Sequence, residues 1–235
     1  MAQTLDRYSL ASILKIAAAP FALAAVTAMV CYLAAGNGLG FYLGPIVAAS
    51  FIIPPIVAAV QDRLSAVIAA GAVVDAIGIV WLFTVPSPDV TFTQWLACYA
   101  VLAAYVLALA GVVWVLRQLI GALAAAFITV LVALAWLGWP IWTSPWITAR
   151  LAAWLSPAHP LMAINHIMLD MGVWTQGQWM YQHTVLGQDV PYALPESIWP
   201  CVILHGVMGL ALAWPTRDAR RTDSSPEPSQ TPAGS

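Results

Sequence analysis

Charge is what this 235-residue chain has least of: 8% of its residues are Asp, Glu, Lys or Arg, while 62% are hydrophobic. A soluble domain carries about 25% charged residues. Water is therefore excluded as the solvent for most of this chain. Lysine is nearly missing, with Lys15 its one example. No lysine can sit mid-span as a Schiff-base site. The sequence G-x-x-x-x-G-K-[ST] is absent, so the chain does not cradle ATP phosphates by that loop. H-E-x-x-H and G-x-S-x-G are absent too, which removes zincin-type proteolysis and a serine-elbow hydrolase. A net charge of −2 provides no bulk field for nucleic acid. No catalytic constellation is recognisable and no cofactor is implied.

What the chain has instead is six apolar segments, at 13–36, 40–60, 65–85, 95–116, 119–139 and 198–214. A spanning helix needs about 20 mostly apolar residues to cross roughly 30 Å of hydrocarbon, and each segment meets that length. The expected fold class is all-α: a polytopic membrane protein with six transmembrane helices. Residues 1–12 form a short cytoplasmic lead, 13–214 the transmembrane domain and 215–235 a disordered cytoplasmic tail rich in Ser, Pro and Thr. Lys15 and Pro20 inside the first segment, with no A-x-A-type cleavage site after it, predict a retained helix rather than a removed signal.

Basic residues orient the bundle. Arg7, Lys15, Arg63, Arg117, Arg217, Arg220 and Arg221 fall at one face and only Arg150 at the other. Lys and Arg are retained on the cytoplasmic side during insertion. Both termini are thus expected inside, in a cell (inner) membrane, with the long connection after the fifth span outside. Inner connections at Gln61-Asp62-Arg63 and Arg117-Gln118 are short, so the helices that they join pack antiparallel. Pro45, Pro54 and Pro55 kink the second span. Such a break must face protein or a water-filled cavity.

The outer segment, 142–197, is the least ordinary stretch. Trp146 to Leu155 reads as a short amphipathic helix. Ser156-Pro157 then supplies an N-cap with proline at the first helical position. A second helix runs to about Met171, and Gly172 ends it. Each is too short to cross, so both are expected as re-entrant or interfacial helices between the fifth and sixth spans. Ten of twelve tryptophans, Trp81, Trp136, Trp139, Trp146, Trp154 and Trp199 among them, lie at or beyond the outer ends. Indoles favour that headgroup layer.

Two sets of residues could carry chemistry. Asp75, at the midpoint of the third span, and His205, near that of the sixth, lie level with Ser50 and Thr129. A mid-bilayer carboxylate is costly unless paired, neutral or watered. The economical expectation is an Asp75–His205 hydrogen bond in a polar layer, used either for packing or to line a translocation or proton path. The second set is His159, His166 and Asp170, on one helical face by spacings of seven and four. His183 and Asp189 could join them from the irregular stretch. Ordinary capping or a metal site both fit that pattern. Cys31, Cys98 and Cys201 all fall in the outer third of their spans. Small packing residues, a disulfide and a soft-metal cluster are the three readings.

The arrangement resembles the membrane subunit of an ABC-2-type transporter. The phrase Leu155-Ser156-Pro157-Ala158-His159-Pro160-Leu161-Met162-Ala163-Ile164-Asn165 is similar to the N/S-P-hydrophobic…N stretch of that family's outer region. The resemblance implies six spans with both termini inside, and a permease that works as a dimer. It implies ATP hydrolysed by a separate ATP-binding subunit, met at Asp62 and Arg63. Asp75, His205, Ser50 and Thr129 would then belong to the transport path. Two readings of other classes stand beside it: a metal-binding membrane enzyme subunit built on His159, His166, Asp170 and His183, and a non-catalytic assembly or anchoring subunit.

Overall fold

The computed structural model describes residues 9–35, 39–84, 90–142, 146–168 and 195–210. Every long element is a helix: α1 Leu10–Ala35, α2 Leu39–Ala59, α3 Arg63–Thr84, α4 Phe92–Ile120 and α5 Ala122–Trp142. Two short helices follow, α6 Ala149–Leu155 and α7 Pro160–Ile167, and then α8 Trp199–Gly209. Among the described residues, α1 to α5 are the five helices long and apolar enough to cross a membrane. The chain is a helical, multi-pass membrane protein. The expected sixth span is represented by the 11 residues of α8, and the rest of segment 198–214, after Leu210, lies outside the described residues.

Helices α2 and α4 form the centre. Helix α2 packs against α1, α3, α4, α5 and α7, and α4 against α2, α3, α5, α7 and α8. Lipid is as apolar as leucine, so spans associate through close packing and small residues rather than through burial from water. The core accordingly contains Ala24, Ala28, Ala49, Ala66, Ala70, Ala76 and Ala110. Where α4 crosses α8, glycines on both helices allow a close approach. A Cβ on Gly111 would lie 2.6 Å from the Met208 carbonyl oxygen, and one on Gly209 would lie 2.9 Å from Leu107 Cβ.

Prolines inside spans leave carbonyls unpaired four residues earlier, and side chains from neighbouring elements take two of them. Pro45 removes the partner of the Phe41 carbonyl, which Trp81 Nε1–H reaches from α3 at 3.3 Å. Pro140 removes the partner of the Trp136 carbonyl, which the His159 ring reaches at 3.1 Å. This use of Trp81 differs from the sequence expectation. Trp81 is fully buried rather than set in a headgroup belt, and Trp139 is buried as well, whereas Trp146, Trp154 and Trp199 are exposed.

The connections on the Arg117 side are tight. Asp62 caps α3: its carboxylate accepts from the Ser65 N–H at 2.9 Å and from the Ser65 hydroxyl at 2.7 Å. Arg117 donates to the Val57 carbonyl at 3.3 Å and to the Val60 carbonyl, closing the end of α2. Its guanidinium lies 4.5 Å from the Trp114 ring, and that of Arg63 lies 6.0 Å from the same ring. The expected break at Arg117-Gln118 falls later. Helix α4 continues to Ile120 and stops at Gly121, whose φ of 87° only glycine adopts without strain.

The second short helix also starts later than its Ser-Pro signal suggests. Ser156–Ala158 is a single 3₁₀ turn, and α7 begins at Pro160 with His159 as N-cap. The residue before a proline is pushed out of the α region, and His159 is extended (φ −85°, ψ 122°). The expected end near Met171 and Gly172 lies outside the described residues.

Candidate functional site: a buried polar layer beside a lateral cavity

Polar side chains from four elements meet within the bundle. Ser50 on α2 and Tyr105 on α4 share a hydrogen bond of 2.7 Å, both buried. The Ser50 hydroxyl also has the Ile46 carbonyl at 3.4 Å, so the arrangement that satisfies both groups has Tyr105 donating to Ser50. The Tyr105 ring meets the His205 ring edge-on, with centroids 5.5 Å apart. Trp136 on α5 stands between the two histidines, 6.4 Å from His205 and 5.5 Å from His159.

Carbonyl partners fix both histidine tautomers. His205 Nδ1 lies 2.8 Å from its own helix's Cys201 carbonyl, which can only accept. Nδ1 therefore carries the proton, and Nε2 is the acceptor of that ring. His159 is the reverse. Its Nε2–H donates to the Trp136 and Leu137 carbonyls, 3.1 Å each, and Nδ1 accepts from the Met162 N–H at 3.4 Å. His159 lies in the connection between α6 and α7 and is buried; burial pushes its pKa down to about 4, against the opposing effect of the two carbonyls. It is held neutral.

Beside this layer is a cavity of about 260 Å³ between α4, α5 and α8. Tyr105, Thr129, Trp136 and His205 line it, with Leu204 and Val132 on its exposed margins. The Thr129 hydroxyl and the Trp136 indole N–H are buried without a hydrogen-bond partner. They are seven residues apart on α5, hence on one face. Both polar atoms are shielded, so the wall that the cavity presents is apolar and suits an apolar guest. Asn165 on α7 is buried with neither amide atom paired.

Of the four expected path residues, Ser50, Thr129 and His205 belong to this layer and Asp75 does not. Asp75 is exposed on α3, and Tyr99 of α4 donates to its carboxylate at 2.6 Å. The expected Asp75–His205 bond is replaced by Asp75–Tyr99 and His205–Cys201. Depth along a span was readable from sequence, but the side of the helix was not. Tyr105 and Trp136 were missed; the signal for Trp136 is its place four residues before Pro140.

His159 and His166 separate. Both nitrogens of His159 are engaged within the protein, which leaves no lone pair for a metal. His166, half-buried, shares a shallow depression with Gln94 and Glu196. Asp170, His183 and Asp189 lie outside the described residues, and among those described no three metal-binding side chains come together. Cys31, Cys98 and Cys201 are free thiols. Compared with known proteins, the chain matches no protein family, no curated protein and no solved structure.

Proposed function

We propose that the chain is the membrane-spanning permease subunit of an ABC-2-type transporter, moving a substrate across the inner membrane with ATP hydrolysed by a separate subunit. On this reading α8 belongs to a sixth span, and both termini are cytoplasmic. The 142–197 segment lies at the outer surface as re-entrant or interfacial helices, and two copies surround the path. The observation that carries the proposal is the lateral cavity lined by Tyr105, Thr129, Trp136 and His205. A dry structural core leaves few donors unpaired. Behind the apolar wall of this cavity the Thr129 hydroxyl and the Trp136 indole N–H have no partner, and a rearranged path would expose them to a passing guest.

The short connection between α2 and α3 supports the partner side of the reading. Gln61 and Asp62 are exposed there. Arg117 and Trp114 brace the loop from behind, so a push at Asp62 or Arg63 would be passed to α2 and α4. The test is purification from native membranes in mild detergent. A P-loop ATPase should co-purify and hydrolyse ATP, and Arg63→Glu should weaken that association. A chain that purifies intact from native membranes with no ATPase overturns the proposal.

A further inference from the structure

A second site lies on the other side of the bundle. A groove of about 600 Å³ runs between α1, α3 and α4, with Asp75 at its centre. That volume is within the roughly 300–1,000 Å³ of pockets that hold drug-sized ligands. Phe21, Trp95 and Tyr99 give it aromatic walls, and Trp95 and Tyr99 are stacked with centroids 5.4 Å apart. Gly78 makes this possible: a Cβ there would lie 2.6 Å from Tyr99 Cδ2. The missing side chain lets the Tyr99 ring settle on α3, which brings its hydroxyl to Asp75. Gly71, one turn to the other side of Asp75, leaves the groove open, since a Cβ there meets nothing within 4 Å.

Among the described residues that line it, the groove has one formal charge, on Asp75, and no counter-charge. Asp75 lies midway along a membrane-length helix, where an unpaired carboxylate is expensive and marks a functional site. Lys15, flanked in sequence by the lining residues Ile13 and Ala17, is not among its walls. Tyr99 donates to Oδ1 and leaves Oδ2 available. Aromatic faces attract cations, most strongly where water is scarce. A carboxylate between aromatic walls, opening toward lipid, matches a cation whose charge is carried by an apolar body.

We infer that the groove around Asp75 binds a lipophilic organic cation, its charge on the carboxylate and its body against Trp95 and Tyr99. This goes beyond the permease reading and does not depend on it, because binding needs neither an ATPase nor the cavity at Thr129.

Tetraphenylphosphonium is the probe, measured by equilibrium binding to the purified chain in detergent. Saturable binding of one probe per chain is expected. Asp75→Asn should weaken it roughly tenfold or more, since the counter-charge is lost in a poorly solvating medium. Gly71→Trp fills the groove while leaving Asp75 in place, and should weaken binding as well; it decides the matter if Asp75→Asn does not fold. Leu123→Ala, on an exposed face of α5, should bind as wild type. Tetraphenylborate, of the same shape and opposite charge, should not compete. Wild-type affinity in folded Asp75→Asn or Gly71→Trp, competition by the anion, or absence of saturable binding overturns the inference. So does an Asp75→Cys protein that cross-links to a second copy through this position, because the groove is then an interface.

Discussion

His159 donates from Nε2 to the carbonyl oxygens of both Trp136 and Leu137, 3.1 Å from each. The first of these is the carbonyl that Pro140 leaves without a helical partner. One imidazole therefore closes a gap in α5, and its other nitrogen caps the start of α7. The segment that follows α5 is fastened to the bundle by repairing a proline break. An unpaired backbone group costs most where no water can reach it.

His159→Ala should destabilise the protein by about 2–4 kcal/mol, from a lost cap and an orphaned buried carbonyl. The same substitution should cost less in a Pro140→Ala background, where residue 140 regains an N–H for Trp136. Thermal unfolding of the four proteins of this double-mutant cycle measures the difference. Equal costs in both backgrounds would dissociate His159 from the proline.

The same side chain predicts a pH dependence. The His159 pKa is lowered on folding from about 6.5 to about 4. Its contribution is fully present above pH 6.5 and is lost as pH falls from there toward 4. The total is roughly 3 kcal/mol at 1.36 kcal/mol per unit. His159→Asn, which keeps a neutral capping side chain, should show a shallower fall in unfolding temperature between pH 7 and pH 4.5.

Gly111→Val should detach α8 from α4. The new Cβ would meet the Met208 carbonyl at 2.6 Å, and that contact is backbone, which cannot rotate away. Loss of several degrees in unfolding temperature is expected. Gly71→Val, where a Cβ meets nothing within 4 Å, should be tolerated.

Tyr105→Phe and Ser50→Ala each remove the buried 2.7 Å bond between α2 and α4. Ser50→Ala should cost about 1 kcal/mol or more, because the Tyr105 hydroxyl stays buried alone, and Tyr105→Phe should cost less, because Ser50 keeps the Ile46 carbonyl. The double variant should cost less than the sum. If the layer serves transport, ATP hydrolysis by the assembled complex should fall more than the stability change explains.

Hydropathy alone located the five long helices. The segments at 40–60 and 65–85 differ from α2 and α3 by one or two residues at either end. Length and apolarity belong to a segment by itself, so they are visible without neighbours. The break at Pro45 was visible too, since the i−4 carbonyl is named by counting, whereas Pro140 fell just past the expected end of the fifth span at 139. What takes that carbonyl was not: Trp81 is 40 residues from Phe41, and His159 is 23 from Trp136. The pairing of Asp75 failed for the same reason. Its depth follows from its place in α3, but its direction follows from where Gly78 admits the Tyr99 ring. The late end of α4 was missed because Arg117 and Gln118 look like a loop, whereas Arg117 stays helical and turns its side chain onto the end of α2.

Lipid surrounds the long helices, and Gln61 and Arg150 are expected on opposite sides of it. The direct measurement uses a protein with Cys31, Cys98 and Cys201 replaced by alanine and one new cysteine at either Gln61 or Arg150. A membrane-impermeant maleimide is applied to intact cells. Labelling of Arg150→Cys from outside, with Gln61→Cys labelled only after lysis, is the result the account predicts. Equal labelling of both in intact cells, or labelling of Gln61→Cys alone, would contradict it.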